Sequence, residues 1–117
     1  IDEKSVRREE APPHGAIGMS TAYRISDAVP APRAMEFRRR VLHVGAAIGE
    51  HRIDHDEVYY VLEGEGILTL NEEKHLMRPH DYVYVPPGVR HSFTNNGVAP
   101  LVFLVVTTPV EALSVMA

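Results

Sequence analysis

The sequence contains no cysteine among its 117 residues, and this absence removes several classes of chemistry. It excludes disulfide frameworks, thiolate zinc sites, iron–sulfur clusters and cysteine catalysis. A metal ion would therefore have to be held by imidazole, carboxylate or water. Long apolar runs are also missing. The longest run, Leu101 to Val106, has the length of a strand and falls far short of the ~20 residues of a membrane-spanning helix.

Positive charge is the scarcer sign, with 12 Lys and Arg residues against 16 Asp and Glu residues and a net charge of −4. Because nucleic-acid binding needs a basic surface that neutralises phosphates, we expect no nucleic-acid partner. The densest basic run contains Arg33, Arg38, Arg39 and Arg40. The favoured interpretation of this run is a solvated strand face. The alternative is a wall that binds a carboxylate or phosphate group.

The first residues, Ile1-Asp2-Glu3-Lys4, are charged, and no apolar segment typical of a signal peptide follows them. Together with the lack of a membrane-spanning run, this predicts a cytoplasmic protein without a membrane partner. The length fits one compact domain, and the hydrophobic fraction of 44% is large enough for a buried core. We expect a loose N-terminal arm over residues 1–15 and a single domain over residues 16–117.

Nine prolines and eight glycines interrupt the chain, which favours many short elements over a few long helices. Strand signals recur roughly every 8–12 residues, the pattern of an all-β sandwich or barrel. Between two of these segments, residues 45–49 are small and predict a turn. The predicted strands cover residues 15–26, 35–44, 58–62, 67–70, 75–77, 82–85, 91–94 and 101–107.

Five of the seven histidines lie between residues 51 and 91, which makes this half of the chain the place to look for a site. His51, His55 and Glu57 have the same parity, so on a straight strand they would share one face. Two imidazoles and one carboxylate are the ligand set of non-haem Fe(II), and they also suit Mn(II), Ni(II) or Zn(II). The alternative is a solvated loop, and the spacing alone does not choose between the two.

Two motifs in this region resemble those of the cupin superfamily, and more closely its small single-domain conserved-barrel members. The first motif is matched by Gly45, His51, Glu57 and Gly64, and the second by Pro86, Gly88, His91 and Asn95. Two motifs in the right order are a specific signal. The resemblance extends from about Gly45 to Val106. It implies a double-stranded β-helix, that is, a jelly-roll barrel of two antiparallel sheets.

The sequence departs from these motifs at two positions. Ile53 stands where most cupins have a second histidine that binds the metal ion. His80 stands where a glycine usually opens the second motif, in a tight turn that favours positive φ. Histidine tolerates that backbone region better than most residues, although less well than glycine.

The resemblance implies a mononuclear site for a divalent transition metal (Fe, Mn, Ni or Zn) with His51, Glu57 and His91 as ligands. This set is similar to the two-histidine, one-glutamate set of ring-opening cupin dioxygenases. His55 is a further candidate ligand, although a position at the rim of the site is favoured. The alternative is that Ile53 marks a cupin that has lost its metal ion.

Tyr59 and Tyr84 are the candidate catalytic residues, because a phenol at the barrel mouth can act as an acid or orient a substrate. The resemblance implies a small polar molecule as ligand, with dioxygenase, lyase or sugar-isomerase chemistry. It also implies a homodimer that exchanges N-terminal strands. The alternative function is a non-catalytic ligand-binding or sensor module, since one fold hosts both outcomes.

Overall fold

The computed structural model describes residues 2–10, 20–30 and 34–108, except for the side chains of Glu10 and His51. Within these ranges the chain forms ten strands and two four-residue 3₁₀ helices, Glu3–Val6 and Ile25–Ala28. The strands are β1 (Arg7–Glu10), β2 (Ser20–Tyr23), β3 (Glu36–Leu42), β4 (Ala47–His51), β5 (Glu57–Glu63), β6 (Gly66–Leu70), β7 (Glu73–Met77), β8 (Tyr82–Val85), β9 (His91–Thr94) and β10 (Leu101–Thr107). No helix in this part of the chain is long and apolar enough to cross a membrane.

The strands form two antiparallel sheets. One sheet has six strands in the order β1-β2-β3-β10-β5-β8, and the other has four in the order β4-β9-β6-β7. The chain passes back and forth between the sheets, so that β10 lies between β3 and β5 and β9 lies between β4 and β6. This is the connectivity of a jelly roll, and it confirms the predicted all-β class and double-stranded β-helix.

Aromatic rings fill the centre of the space between the sheets. The rings of Phe93 and Phe103 stack with their centroids 5.1 Å apart. The ring of Tyr59 meets both of them edge-on, with centroid distances of 5.7 Å. The remaining buried members of this core are Leu42, Ala46, Ile48, Val61, Leu68, Met77, Val85, Leu101 and Val105. The middle of the barrel is therefore packed with apolar side chains.

The inward faces of the large sheet change from apolar to polar along the strands. Alternate residues of a strand share a face, so Val61, Tyr59 and Glu57 of β5 all face the interior. In the register of the sheet, Tyr59 is opposite Val105, which is in turn opposite Arg38 of β3. Arg38, Tyr59 and Glu57 therefore lie together at one end of the barrel.

Most of the predicted strands are confirmed, and β8, β9 and β10 have the predicted bounds. The prediction of a turn over residues 45–49 was wrong for its second half, because β4 begins at Ala47. Small residues are compatible with a strand here because β4 pairs with β9, with Ile48 opposite Phe93 in the core. The burial of Ile48 outweighs the low strand preference of its neighbours.

Part of the segment predicted as a loose arm lies within the described ranges and pairs with the large sheet. Residues Arg7–Glu10 form β1 and pair with the whole of β2, which makes them the edge of the large sheet. The hydroxyl group of Thr21 donates a hydrogen bond of 2.8 Å to Glu9, and Arg39 binds Glu3 through two hydrogen bonds of 2.9 and 2.7 Å. These polar contacts hold the segment against the sheet. Residues 11–15 of the predicted arm lie outside the described ranges.

His80 has a φ of 77°, which confirms the left-handed turn expected where cupins usually have glycine. Its backbone N–H donates a 2.8 Å hydrogen bond to the carbonyl group of Val61, and its Nδ1 lies 3.1 Å from the hydroxyl oxygen of Tyr60. These bonds fix the turn between β7 and β8. They give His80 a structural role on the exposed side of the turn.

Candidate functional site

Three buried polar side chains meet at the polar end of the barrel. The hydroxyl group of Tyr59 donates a 2.9 Å hydrogen bond to Oε2 of Glu57. The Nε2 atom of His91 lies 3.5 Å from the same Oε2 and 3.3 Å from the hydroxyl oxygen of Tyr59. Glu57 and His91 are only 4% and 1% exposed. The structure thus brings together two of the predicted metal ligands and one of the predicted catalytic residues.

The ring of His91 is oriented by the backbone. Its Nδ1 lies 3.0 Å from the carbonyl oxygen of Val89, which can only accept a hydrogen bond. Nδ1 therefore carries a proton, and Nε2 is the ring nitrogen that faces Glu57 and Tyr59. Metal-binding histidines are commonly oriented by such a hydrogen bond on their other nitrogen.

Two arginines of β3 also face the barrel interior. Arg38 and Arg40 share the parity of the buried Leu42, and Arg40 is 2% exposed with a 2.6 Å hydrogen bond to Ser20. A terminal nitrogen of Arg38 lies 3.7 Å from Oε1 of Glu57. The favoured prediction of a solvated face was therefore wrong for these two residues. Arg39 alone of the three has the opposite parity, and its guanidinium lies 4.1 Å from the centre of the Tyr23 ring.

The surroundings of Glu57 shift its pKa in two opposing directions. Burial raises the pKa, whereas the hydrogen bonds of His91 and Tyr59 and the positive charge of Arg38 lower it. Together, the contributions that lower the pKa outweigh the effect of burial, so Glu57 is a carboxylate at neutral pH. The pKa of Tyr59 is raised well above its ordinary value by burial and by the neighbouring Glu57 charge. Tyr59 thus remains a protonated hydrogen-bond donor.

A pH dependence of stability follows from the lowered pKa of Glu57. Because the folded pKa lies below the unfolded value of 4.5, the unfolded chain binds more protons in acid. The stabilisation is fully present above pH 4.5 and is lost as the pH falls through the folded pKa. In urea titrations between pH 3 and 7, we expect the wild-type protein to lose more stability in acid than the variant Glu57→Gln. Parallel pH profiles would contradict this assignment.

The backbone of His51, the third predicted ligand, lies within the described part of the structure, but its side chain does not. His51 is the last residue of β4 and is paired directly with His91 of β9. The register of this strand pair shifts between Ile48 and His51, so the regular alternation of β4 is interrupted just before the histidine. The described part places the backbones of the two histidines side by side.

His55 and Ile53 lie in the connection between β4 and β5. His55 is partly buried, and its Nδ1 is buried without a hydrogen-bond partner in the described part of the chain. Ile53 is 9% exposed, and its carbonyl group accepts a 2.9 Å hydrogen bond from Gly88. No group of three or more potential metal ligands is present among the described side chains, so His55 does not join Glu57 and His91 there.

Tyr84, the second candidate catalytic tyrosine, lies away from this cluster. It is 54% exposed on the outer side of β8, and its hydroxyl group donates a hydrogen bond to Asp56. This hydrogen bond raises the pKa of Tyr84. The cause is parity: Tyr84 alternates with Val83 and Val85, and Val85 is fully buried in the core. The described contacts therefore link Tyr84 to Asp56.

The sequence indicated Arg38 only as part of a run of arginines for which a solvated face was the favoured interpretation. The indication in the sequence that Arg38 faces the interior was the parity that it shares with the apolar Leu42. This indication was ambiguous, because Phe37 and Val41 make the opposite face of β3 equally apolar. Asn95, matched to the second motif, is buried, and its side-chain amide donates hydrogen bonds to the carbonyl groups of Leu42 and Ala99 at 2.8 and 3.0 Å. It stabilises the turn that follows β9.

Taken together, the topology and the buried side chains define a small jelly-roll barrel with a carboxylate–imidazole pair at one end of its interior. The family model described as a cupin domain matches residues 38–107, which is more than half of the chain. The chain therefore belongs to the cupin family, and the resemblance noted in its motifs is confirmed.

Curated relatives match shorter segments. An uncharacterised protein of Methanocaldococcus jannaschii is 41% identical over 54 residues, covering 46% of this chain and 43% of the relative. An oxalate-binding protein of Thermotoga maritima is 33% identical over 75 residues, covering 63% of this chain and 62% of the relative. The chain thus spans less than two thirds of either relative.

Among the solved structures that match more than nine tenths of the chain, one has a TM-score above 0.8. It is the crystal structure of a predicted oxalate decarboxylase of Thermotoga maritima, with 25% identity and a TM-score of 0.81. The match covers 92% of this chain and 96% of the other. The barrel described above is therefore shared over nearly its full length.

Proposed function

We propose that this chain is a metal-dependent cupin that binds a small polar molecule at the polar end of its barrel. In this proposal His51, Glu57 and His91 hold one divalent transition-metal ion: iron, manganese, nickel or zinc. The observation that carries it is the convergence of two buried donor atoms, His91 Nε2 and Glu57 Oε2, 3.5 Å apart. An imidazole and a carboxylate are both ordinary ligands of these ions.

The separation of the two donor atoms supports the proposal quantitatively. Ligand atoms that each lie about 2.1 Å from one ion are roughly 3.0–3.4 Å apart at octahedral or tetrahedral angles. The 3.5 Å between Nε2 and Oε2 is close to this range, so little movement would be needed. The hydrogen bond of His91 Nδ1 to Val89 turns Nε2 toward Glu57. His51 follows from the motif and from its pairing with His91.

A bound ion of this kind would polarise an oxygen atom of the ligand or bind a small oxygen species. The residues of the chain itself provide a negative charge at Glu57, a neutral hydrogen-bond donor at Tyr59 and a positive charge at Arg38. Among dioxygenase, lyase and isomerase chemistry, the lyase class agrees with the similarity to a predicted oxalate decarboxylase. The name of the oxalate-binding relative likewise favours a small carboxylate as the ligand.

Metal analysis of protein purified without chelators tests the proposal directly. We expect roughly one transition-metal ion per chain, lost on chelation and restored by adding Fe(II), Mn(II), Ni(II) or Zn(II). Because a ligand at a hundred times its Kd stabilises the folded state by about 2.7 kcal/mol, re-addition should raise the Tm by several degrees. A chain that purifies without metal and shows no thermal shift with any of the four ions contradicts the proposal.

The variant Ile53→His restores the ligand that most cupins have at this position. We expect the affinity for metal to rise by about tenfold or its preference among ions to change, because one more imidazole becomes available. Ile53→Leu is the matched control, since it keeps the buried position apolar. Identical metal binding by both variants would show that position 53 does not reach the ion.

The second candidate is a ligand-binding or sensor cupin that has lost its metal ion. Two observations favour it: Ile53 replaces a ligand, and Glu57 already accepts a hydrogen bond from Tyr59. A direct network of this kind satisfies buried polar groups without an ion. The metal analysis separates the two candidates, because only the first predicts a co-purifying metal.

The homodimer and the cytoplasmic location stay predictions. The resemblance to cupins implies a dimer, whereas the described contacts concern a single chain. Light scattering during size-exclusion chromatography would give the mass in solution directly. Neither the metal site nor the ligand site depends on the answer, because Arg38, Glu57, Tyr59 and His91 all belong to one chain.

A further inference from the structure

Arg38 has an unused hydrogen-bonding edge at the polar end of the barrel. Its Nε is buried and has no hydrogen-bond partner among the described residues. The neighbouring terminal nitrogen lies 3.7 Å from Glu57, which is close enough for charge attraction but too long for a hydrogen bond. A buried donor without a partner costs stability, so such an atom calls for an explanation. The side chain is 17% exposed and is therefore not sealed from outside.

The next residue along the chain shows what the same edge of a guanidinium does when it has a partner. In Arg39 the Nε and the terminal Nη2 donate hydrogen bonds of 2.9 and 2.7 Å to the two carboxylate oxygens of Glu3. This is the bidentate geometry that makes arginine a selective partner for carboxylates. In Arg38 the equivalent pair of atoms has, among the described residues, no partner closer than Glu57 at 3.7 Å. One carboxylate beside Arg38 would complete the pairing seen at Arg39.

The charges inside the barrel also favour an anion. The charged side chains that face the interior in the middle of β3 are Arg38 and Arg40, and the buried carboxylate beside them is Glu57. Glu36 lies on the same face of β3, but at the start of the strand, where it is partly exposed. The guanidinium group of Arg38 thus carries a positive charge beside the buried Glu57, at a distance too long for a hydrogen bond, and a partly buried charge is stabilised by a close partner of the opposite sign.

We infer that Arg38 is the residue that selects the ligand, binding one carboxylate group of a small anion through its Nε edge, next to Glu57 and His91. This inference rests on the proposed function for the presence of a small carboxylate ligand in the barrel, and it adds the residue that recognises that ligand. A carboxylate is favoured over a phosphate because the chain uses this edge for a carboxylate at Arg39.

Calorimetric titration with oxalate and with oxamide, its neutral amide of the same size, tests the inference. Oxalate is expected to bind the wild-type protein, both after chelation and with Zn(II), at least about tenfold more tightly than oxamide. Arg38→Met should weaken oxalate binding by about tenfold or more. Arg39→Met is the matched control, because it removes the adjacent arginine on the other face, and it should change the Kd less than about twofold.

Separate measurements keep the failure of this inference distinct from the failure of the proposed function. Metal content and Tm are recorded for every variant, and Arg38→Lys is included in case Arg38→Met does not fold. The lysine variant keeps the charge but loses the bidentate edge, so it should also bind oxalate more weakly. Three results with metal-loaded protein would overturn the inference. They are equal binding of oxalate and oxamide, no binding of either molecule, and binding of oxalate by the Arg38 variants as tight as by the wild-type protein. Tighter binding of inorganic phosphate than of oxalate would overturn the carboxylate assignment.

Discussion

Glu57→Ala is expected to remove metal binding and to destabilise the fold at the same time. The substitution deletes one of three proposed ligands, so we expect the affinity for metal to fall by at least about a hundredfold. It also deletes the carboxylate that faces Arg38 and accepts the hydrogen bond from Tyr59. Removing one partner of a buried ion pair costs about 3 kcal/mol, because the other charge stays buried. Metal titration and urea unfolding measure the two effects independently.

The variant Glu57→Gln separates the effect on metal binding from the effect on stability. The glutamine carbonyl group can still accept the hydrogen bond from the Tyr59 hydroxyl, so this variant should lose less stability than Glu57→Ala. Its neutral amide is a poor ligand, so it should lose metal binding to a similar extent. If either variant retained the metal affinity of the wild-type protein, Glu57 would not be a ligand. If Glu57→Ala were as stable as wild type, the buried contacts described here would carry no net stabilisation.

Gly64→Ala is expected to cost about 4 kcal/mol of folding free energy, among the largest effects of a single substitution. Gly64 has a φ of 79°, in the left-handed region that side chains disfavour. A Cβ atom there would lie 2.3 Å from the carbonyl oxygen of Pro100 and 3.0 Å from the Cα of Leu101. Both are backbone atoms, so neither can move away by a simple side-chain rotation. Urea unfolding monitored by circular dichroism measures the loss.

Gly45→Ala is the matched control for this prediction. Gly45 has a similar φ of 83°, but no atom lies within 4 Å of the position that a Cβ would take. It should therefore lose only the strain of the left-handed backbone, about 1–2 kcal/mol. The difference between the two variants in the free energy of unfolding measures the cost of the close contact between position 64 and Pro100. Equal losses in both would contradict the steric argument.

The fold could be predicted from local patterns because its strands are short and clearly separated. Pro86, Pro87 and Gly88 end β8, and Asn95, Asn96 and Gly97 follow β9, so the bounds of both strands were correct. The strand β4 escaped prediction because Ala46, Ala47 and Gly49 carry little side-chain preference. Its strand conformation comes from pairing with β9, which is a contact between distant parts of the chain.

The candidate site was only partly visible in the sequence. Glu57 and His91 could be named from motif spacing, and the structure brings them within 3.5 Å of each other. The two tyrosines could not be distinguished, because Tyr59 and Tyr84 both lie in strands with apolar residues at each parity. Which parity faces the interior depends on how the sheets pack. That packing buries Tyr59 and leaves Tyr84 exposed.

By itself the sequence determined the strand pattern, the two cupin motifs and the chemistry open to a chain without cysteine, because these depend on residue types and short spacings. Only the tertiary structure decided which way the arginines of β3 point. Phe37 and Val41 on one face of β3 and Leu42 on the other are all apolar, so the sequence offered no preference. The pairing of β3 with β10 turned Arg38 toward Glu57 and Arg39 toward Glu3.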